Sequence, residues 1–383
     1  MSEPKTLEEQ AIDYERARRR AKDVCDAEER PPHPPLVALT LAELFDRPAP
    51  SYLIDQFIPQ IGLVQVVGEP GTLKTFFMLH ASLSVASGQP DFFGYPIVKH
   101  GAVLYIAAEG AGALQFRIRA WCQEHGVDPL SLDSTFRVIA MPVDFRDPLF
   151  QQELRAIVEA IHPILIVPDT RARCTPGAEE NSAKDMGEVV NFCSELQQLA
   201  AAVAFVHHPT KSDPKGGGRG SGAFFGAVDT EVRLDSDDPP GTQGDRTITV
   251  TCAKQKEDSP FAPLKLVGRI VAVRHLNGCE MAHESGRVIT SIVLRLADDG
   301  DVADHARKAE AVDRTIDLNV LAVMKKYPAA TSQSKLRVYA ELNQNDVAAA
   351  VGRILRAGWA VEGKRSQPYA LTDLGHKQLE TAF

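Results

Sequence analysis

Long hydrophobic runs are missing from this 383-residue chain. The most continuous ones, residues 102–108 and 164–168, fall far short of the roughly 20 apolar residues that cross a bilayer, and residues 1–20 are charged rather than signal-like. These absences argue against a membrane-spanning helix or a leader, and a cytoplasmic location is expected. Cysteine is scarce: Cys25, Cys122, Cys174, Cys193, Cys252 and Cys279 stand apart, with no C-x-x-C pair and no histidine at zinc-ligand spacing beside them. That spacing excludes a disulfide framework and leaves reduced, mostly structural thiols. Positive charge is not in surplus either. A net charge of −9 excludes a protein coated in basic patches, so any nucleic-acid contact belongs to particular loops or to one domain. Internal repeats and long low-complexity tracts are also absent, apart from one glycine-rich loop.

What remains, 44% hydrophobic and 24% charged, is the composition of an ordinary globular protein, long enough for one large core and one or two small appendages. Residues 1–40 read as a helical arm, rich in Glu, Ala and Arg over 6–29, followed by a stiff linker at Pro31, Pro32, Pro34 and Pro35. Such an arm is either a solvated terminus or a docking element for a neighbouring subunit. Residues 41–300 alternate short β-rich apolar runs with longer helix-compatible stretches, the βαβ pattern of an α/β core with a mixed, mainly parallel central sheet. Runs 62–67, 102–107, 164–167 and 203–206 are apolar without alternation, as in central strands covered on both faces. Segments 247–252, 265–275 and 288–296 read as further strands, antiparallel and near an edge. Residues 301–383 turn helical over 311–326, 334–342 and 346–357, then close with a strand after Trp359, a polar turn at 362–368 and a second strand at 369–372. Three helices followed by a two-stranded wing is the winged-helix order.

The sharpest motif is Gly68-Glu69-Pro70-Gly71-Thr72-Leu73-Lys74-Thr75, which follows a buried strand and precedes the helix-compatible stretch opening at Phe76. In that context loop amides and a helix N-terminus form an anion nest, Lys74 reaches the β- and γ-phosphates of a nucleotide, and the Thr75 hydroxyl takes a Mg²⁺ position. Leu73 stands where such loops usually carry glycine, at a backbone position that is often left-handed. Asp169 ends the run 164–168 and is placed either to hold Mg²⁺ through its water shell or to cap the next turn; Pro168 is unusual inside such a strand. Glu109 ends the strand before Gly110, as the base that activates an attacking water or as a plain loop acid.

His207 and His208 arrive at the same edge and can report loss of the γ-phosphate to the loop that follows; no third ligand at suitable spacing supports a zinc site. That loop, 211–222, carries Lys211, Lys215 and Arg219 on a glycine-rich support suited to a phosphate backbone or a neighbouring subunit. The loop 171–184 carries Arg171, Arg173 and Glu179-Glu180 with no role legible in their chemistry. Lys254 and Lys256, at i and i+2 of a strand end, share one face and can reach a neighbour's nucleotide.

As a set, residues 68–75, Glu109, Asp169-Thr170, Glu180-Asn181-Ser182 with Asp185-Met186, His207-His208 with Lys211, and Arg219-Gly220-Ser221-Gly222 resemble the AAA_25 group of RecA/DnaB-type ATPases, which includes the RepA-like replicative helicases. The resemblance covers about residues 40–275. It implies a RecA-like P-loop core using ATP and Mg²⁺, hexameric rings hydrolysing ATP between subunits, and movement on single-stranded DNA. It also implies Lys74 and Thr75 as phosphate and Mg²⁺ contacts, Glu109 as base, Asp169 as Walker B acid and His207 as γ-phosphate sensor. Lys254-Gln255-Lys256 is similar to the Lys-Gln-Arg element that reaches into a neighbouring site, but lysine cannot make arginine's bidentate fork, so Arg219 is its rival.

In the C-terminal domain, Asn343 is expected to cap a helix that buries Val347, Val351, Ile354 and Leu355 and turns Asn345, Arg353 and Arg356 outward. These arginines, with Lys364 and Arg365 of the wing, are candidate DNA contacts; a winged helix serves equally to dock a replication initiator or loader. Two alternatives to a helicase stay open: a filament-forming recombination or repair ATPase, and a nucleotide-gated DNA-binding regulator with little turnover.

Overall fold

The computed structural model describes residues 37–199, 201–209, 222–238, 244–328, 332–362 and 369–382, and the chain divides into two compact units, 1–49 and 50–383. In the first unit a five-residue helix, Leu41–Phe45, is held by a reciprocal capping box. The Glu43 amide donates to the Thr40 hydroxyl and the Thr40 amide to the Glu43 carboxylate, meeting donors that a helix start leaves open.

The second unit is built on a nine-stranded sheet among the described residues. Its strands are β1 (Leu63–Val67), β2 (Val103–Ala107), β3 (Phe136–Ile139), β4 (Leu165–Asp169), β5 (Ala202–His207), β6 (Thr230–Ser236), β7 (Arg246–Gln255), β8 (Leu264–Ala272) and β9 (Thr290–Leu296), in the order β9-β8-β7-β6-β1-β5-β4-β2-β3. The run from β6 to β3 is parallel throughout, and β7, β8 and β9 are antiparallel to their neighbours. The expected α/β class with a mixed, mainly parallel sheet is thus the observed one. β3 and β6 were not anticipated, because both interleave charged residues with apolar ones.

Strands β1, β2, β4 and β5 are buried at every position. Their side chains alternate between two cores: Val64, Val66, Val103 and Tyr105 enter one, Leu63, Leu104, Ile106 and Ile166 the other. Helices α1 (Lys74–Ser87) and α2 (Ala111–His125) cover the first face; α3 (Pro148–Ile161) and α5 (Ala183–Gln198) cover the second, with a single turn α4 (Arg171–Cys174) between the latter two in sequence. A further short helix, α6 (Gly222–Ala227), precedes β6.

Past the sheet, α7 (Asp299–Lys326), α8 (Gln333–Ala340), α9 (Gln344–Arg356) and α10 (Asp373–Ala382) enclose a separate apolar cluster around Val320, Leu336, Val351 and Ile354. α7 begins well before residue 311, since Asp298 caps it by a capping box with Asp301. Asn343 caps α9 as expected, accepting from the Asp346 amide. The strands β10 (Ala360–Val361) and β11 (Ala370–Leu371) pair antiparallel, and α10, which was not foreseen, follows them. Among the described residues no helix is long and apolar enough to cross a membrane.

Candidate active site at the strand tips

Burial of both faces favours the carboxyl tip of a parallel strand for polar side chains, and four tips meet here. β1 feeds the loop 68–73. Gly68 is obligatory, because a Cβ there would lie 2.4 Å from the Leu234 carbonyl oxygen and 2.5 Å from Thr72 Oγ1. Leu73 does take the left-handed conformation, at φ 61° and ψ 22°. Its side chain is 6% exposed and fits over Gly268 of β8, where a Cβ would come within 2.5 Å of Leu73 Cδ1. Burial in that slot offsets the conformational cost of leucine in a glycine position.

Lys74 opens α1 and folds back onto the loop, its Nζ donating to the carbonyls of Gly68 at 2.6 Å and Glu69 at 2.7 Å. Burial pushes its pKa down to about 8, against the pull of Asp169, Glu69 and Glu109. Pro70 and Gly71 complete the loop; Phe76, the third residue of α1, packs under the Arg117 guanidinium at 5.0 Å. Phe76, Phe116 and Arg117 line a cavity of about 310 Å³ with Ile270 and Ile292.

Asp169 is 2% exposed at the end of β4. Its Oδ2 accepts from the Tyr105 hydroxyl at 2.7 Å, while Oδ1 is buried without a hydrogen-bond partner. Burial raises its pKa; the Tyr105 and Thr75 hydroxyls and Arg117 oppose that shift. The proximity of Thr75 and the unpartnered oxygen form a pair of hard oxygen donors that fits Mg²⁺, which takes few protein ligands. Pro168 lies inside β4 after all, paired with Ile106, and the Asp169–Thr170 peptide is cis. Glu109 follows β2, whose tip is tied to Asp169 because the Ala108 and Glu109 amides both donate to the Asp169 carbonyl. The Thr170 hydroxyl donates to Glu109 Oε1 at 2.9 Å, orienting an otherwise exposed carboxylate.

His207 ends β5 and is 6% exposed. Burial, then the charges of Arg171, His208 and Lys74, push its pKa down to about 2, so the ring is neutral. Lys254 and Lys256 do share one direction: Lys254 Nζ donates to the Phe225 carbonyl and to Gly226 at 3.2 Å, and Lys256 Nζ to Ala227 at 2.8 Å and Asp229 at 2.8 Å. Both therefore engage the carbonyl end of α6 in their own chain. Arg353 is not on a free face; its guanidinium forks onto Asp317, with a closest approach of 2.8 Å, and reaches Asp313 at 3.2 Å, tying α9 to α7. Arg356 is exposed. Lys211, Lys215, Arg219, Lys364 and Arg365 lie outside the described residues.

Tyr105, Gln65 and Glu231, and the roles of Thr170 and Arg171, carry no local motif. A signal existed: a lone Gln inside the apolar run 62–67 must find a buried partner. Gln65 finds two, accepting from Arg171 at 2.6 Å and donating to Glu231 at 3.0 Å.

A phosphate loop between a buried strand and a helix, with a lysine, a hydroxyl and two carboxylates converging at adjoining tips of parallel strands, defines an α/β protein of the P-loop nucleotide-binding class. Residues 27–214 match the family model AAA_25, described as an AAA domain, a stretch that holds Lys74, Glu109, Asp169 and His207. Among solved structures the chain is similar to the RadB recombinase, at 17% identity and a TM-score of 0.41, covering 56% of this chain and 89% of that one. No curated protein matches the sequence.

Proposed function

We propose that this protein is an ATP-dependent DNA motor, a ring-forming replicative helicase that hydrolyses ATP at subunit interfaces and moves on single-stranded DNA. The observation that supports it most is the convergence of Lys74, Thr75, Asp169 and Glu109 at adjoining strand tips, coupled to a histidine from the strand between them. On this reading the amides of 68–74 and Lys74 grip the phosphates, and Thr75 and Asp169 would hold Mg²⁺, which would supply charge neutralisation to the phosphates. Glu109, oriented by Thr170, takes the proton of the attacking water. His207 contacts the γ-phosphate and passes its loss to the loop 211–222. The cavity beside Phe76 and Arg117 takes the planar base.

Residues 301–383 act as a winged helix, with Arg356, Lys364 and Arg365 toward DNA and Arg353 as its internal brace, or as the dock for a replication initiator or loader. Lys211, Lys215 and Arg219 meet the DNA backbone in the ring, and Arg219, Lys254 or Lys256 completes a neighbour's site. The test is strand displacement on a forked duplex, with ATP hydrolysis measured with and without single-stranded DNA, for the native chain and Lys74→Ala. Displacement by the native chain alone is expected. Hydrolysis without displacement or DNA stimulation would leave an ATPase that is not a helicase.

A further inference from the structure

Arg171 is 1% exposed and is the largest fully buried side chain among the described residues, one residue beyond the cis peptide at the end of β4. A guanidinium there must be compensated on every side. Nη1 donates to Gln65 Oε1 at 2.6 Å, Nη2 reaches His207 Nε2 at 2.9 Å and Glu180 Oε1 at 3.4 Å, and the plane lies 4.6 Å from the Phe224 ring of α6. Gln65 in turn donates to Glu231 on β6. The chain of contacts therefore runs from α4, just past the tip of β4, to the neighbouring strands β5, β1 and β6.

Donor and acceptor roles along this chain have one solution. Arginine can only donate, so Nε2 of His207 must accept, and a neutral imidazole with an accepting Nε2 carries its proton on Nδ1. The amide of Gln65 cannot flip, because its oxygen faces an arginine and its nitrogen a carboxylate. Nδ1 of His207 is buried without a hydrogen-bond partner; Glu180 Oε1, at 3.9 Å, is too far to serve. The ring thus holds one buried donor in reserve.

We propose that Arg171 is a positioning residue for nucleotide hydrolysis, which locks His207 in the Nδ1–H tautomer so that the ring presents a fixed donor to the terminal phosphate. The opposite tautomer would turn a lone pair toward phosphate oxygens. This rests on the nucleotide-hydrolysing reading above, with His207 at the γ-phosphate.

The imidazole ¹⁵N shifts of His207 in the native chain, assigned by comparison with His207→Gln, test it directly. An unprotonated Nε2 and a protonated Nδ1 are expected; a protonated Nε2 overturns the proposal whatever the enzyme activity. In Arg171→Met the ring should become a tautomer mixture and kcat should fall roughly tenfold to a hundredfold, the range for partners that orient metal-ligating histidines, with KM little changed. Arg171→Lys, which restores a buried donor, should recover the tautomer and part of kcat. An Arg171→Met variant that keeps the native tautomer, or loses it at native kcat, also overturns the proposal, as does an Arg171→Lys variant that fails to recover the tautomer. If Arg171→Met does not fold, the native ring and Arg171→Lys still decide. A native chain that hydrolyses no ATP refutes the reading of the site instead, and leaves the tautomer to be judged on the spectra.

Discussion

The parallel and antiparallel parts of the sheet obey different rules. In β1, β2, β4 and β5 every residue is buried, and apart from Gln65 and the Tyr105 hydroxyl their polar groups collect at the tips. In β7, β8 and β9 burial is broken along each strand. This part brings Lys254 to α6 and supports the phosphate loop from outside, Arg246 of β7 donating to the Gly71 carbonyl at 3.3 Å and the missing Cβ of Gly268 leaving room for Leu73. The difference teaches that the chemistry and the shape of the loop are set from opposite sides of the sheet, so they can be damaged separately.

The largest effects should come from the parallel side. Glu109→Gln is expected to lower kcat by about two to four orders of magnitude, the range for removing a general base, while ATP binding persists. Lys74→Ala should abolish both binding and turnover. Steady-state hydrolysis with a parallel binding titration separates them, and loss of binding in Glu109→Gln would show that this carboxylate shapes the site instead of serving as its base.

Next in size is a break from the antiparallel side. A Cβ at Gly268 meets Leu73 Cδ1 at 2.5 Å and Ile292 Cγ2 at 3.0 Å. Gly268→Ala should therefore cost about 1–3 kcal/mol by overpacking and weaken ATP binding with every catalytic side chain intact. Adding Leu73→Ala should recover part of both losses, a coupling that a double-mutant cycle on melting and affinity would measure. Strictly additive losses would mean the two residues do not share one slot.

The two parts also differ in their histidines. His80, on α1, is 5% exposed and stacks 4.4 Å from Phe93; burial pushes its pKa down to about 3. His275 and His283, on the connection between β8 and β9, are exposed. A buried histidine that stays neutral while the unfolded chain protonates near pH 6.5 contributes stability above that pH, lost as pH falls toward the folded value. The slope should approach about 1.4 kcal/mol per pH unit for each such group. Denaturant unfolding between pH 7 and 5 should show His80→Phe less acid-sensitive than the native chain, and an equal slope in both would mean that His80 is not the group responsible.

The same contrast governs what was legible in the sequence. Strands packed on both faces announce themselves as unalternating apolar runs, and their tips at Lys74, Glu109, Asp169 and His207 could be named. β6 could not, because Glu231 and Arg233 interrupt it; they are tolerated inside because Gln65 accompanies Glu231 and Arg233 itself approaches it at 3.4 Å. Pairings between residues far apart in the chain, such as Arg171 with Gln65 and His207 or Arg353 with Asp317, leave no local periodicity. α10 follows the hairpin on a short, mostly polar segment whose buried Leu379 contributes only one anchor to the cluster.

The smallest expected effect is the most diagnostic for the loop. Leu73→Gly removes a buried leucine, worth about 1.5–3 kcal/mol, and adds about 0.5–1 kcal/mol of unfolded-chain freedom. Against this it relieves a left-handed leucine, at about 1–2 kcal/mol. The net should be a loss of about 1.5 kcal/mol in denaturant unfolding, with ATP affinity close to native, because the amides and Lys74 grip the phosphates and the side chain at 73 faces Gly268. A stabilised Leu73→Gly would mean that strain outweighs burial, so that the leucine is retained at a cost. An affinity loss as deep as that of Lys74→Ala would mean that the loop owes its shape to the antiparallel strands even when no side chain clashes.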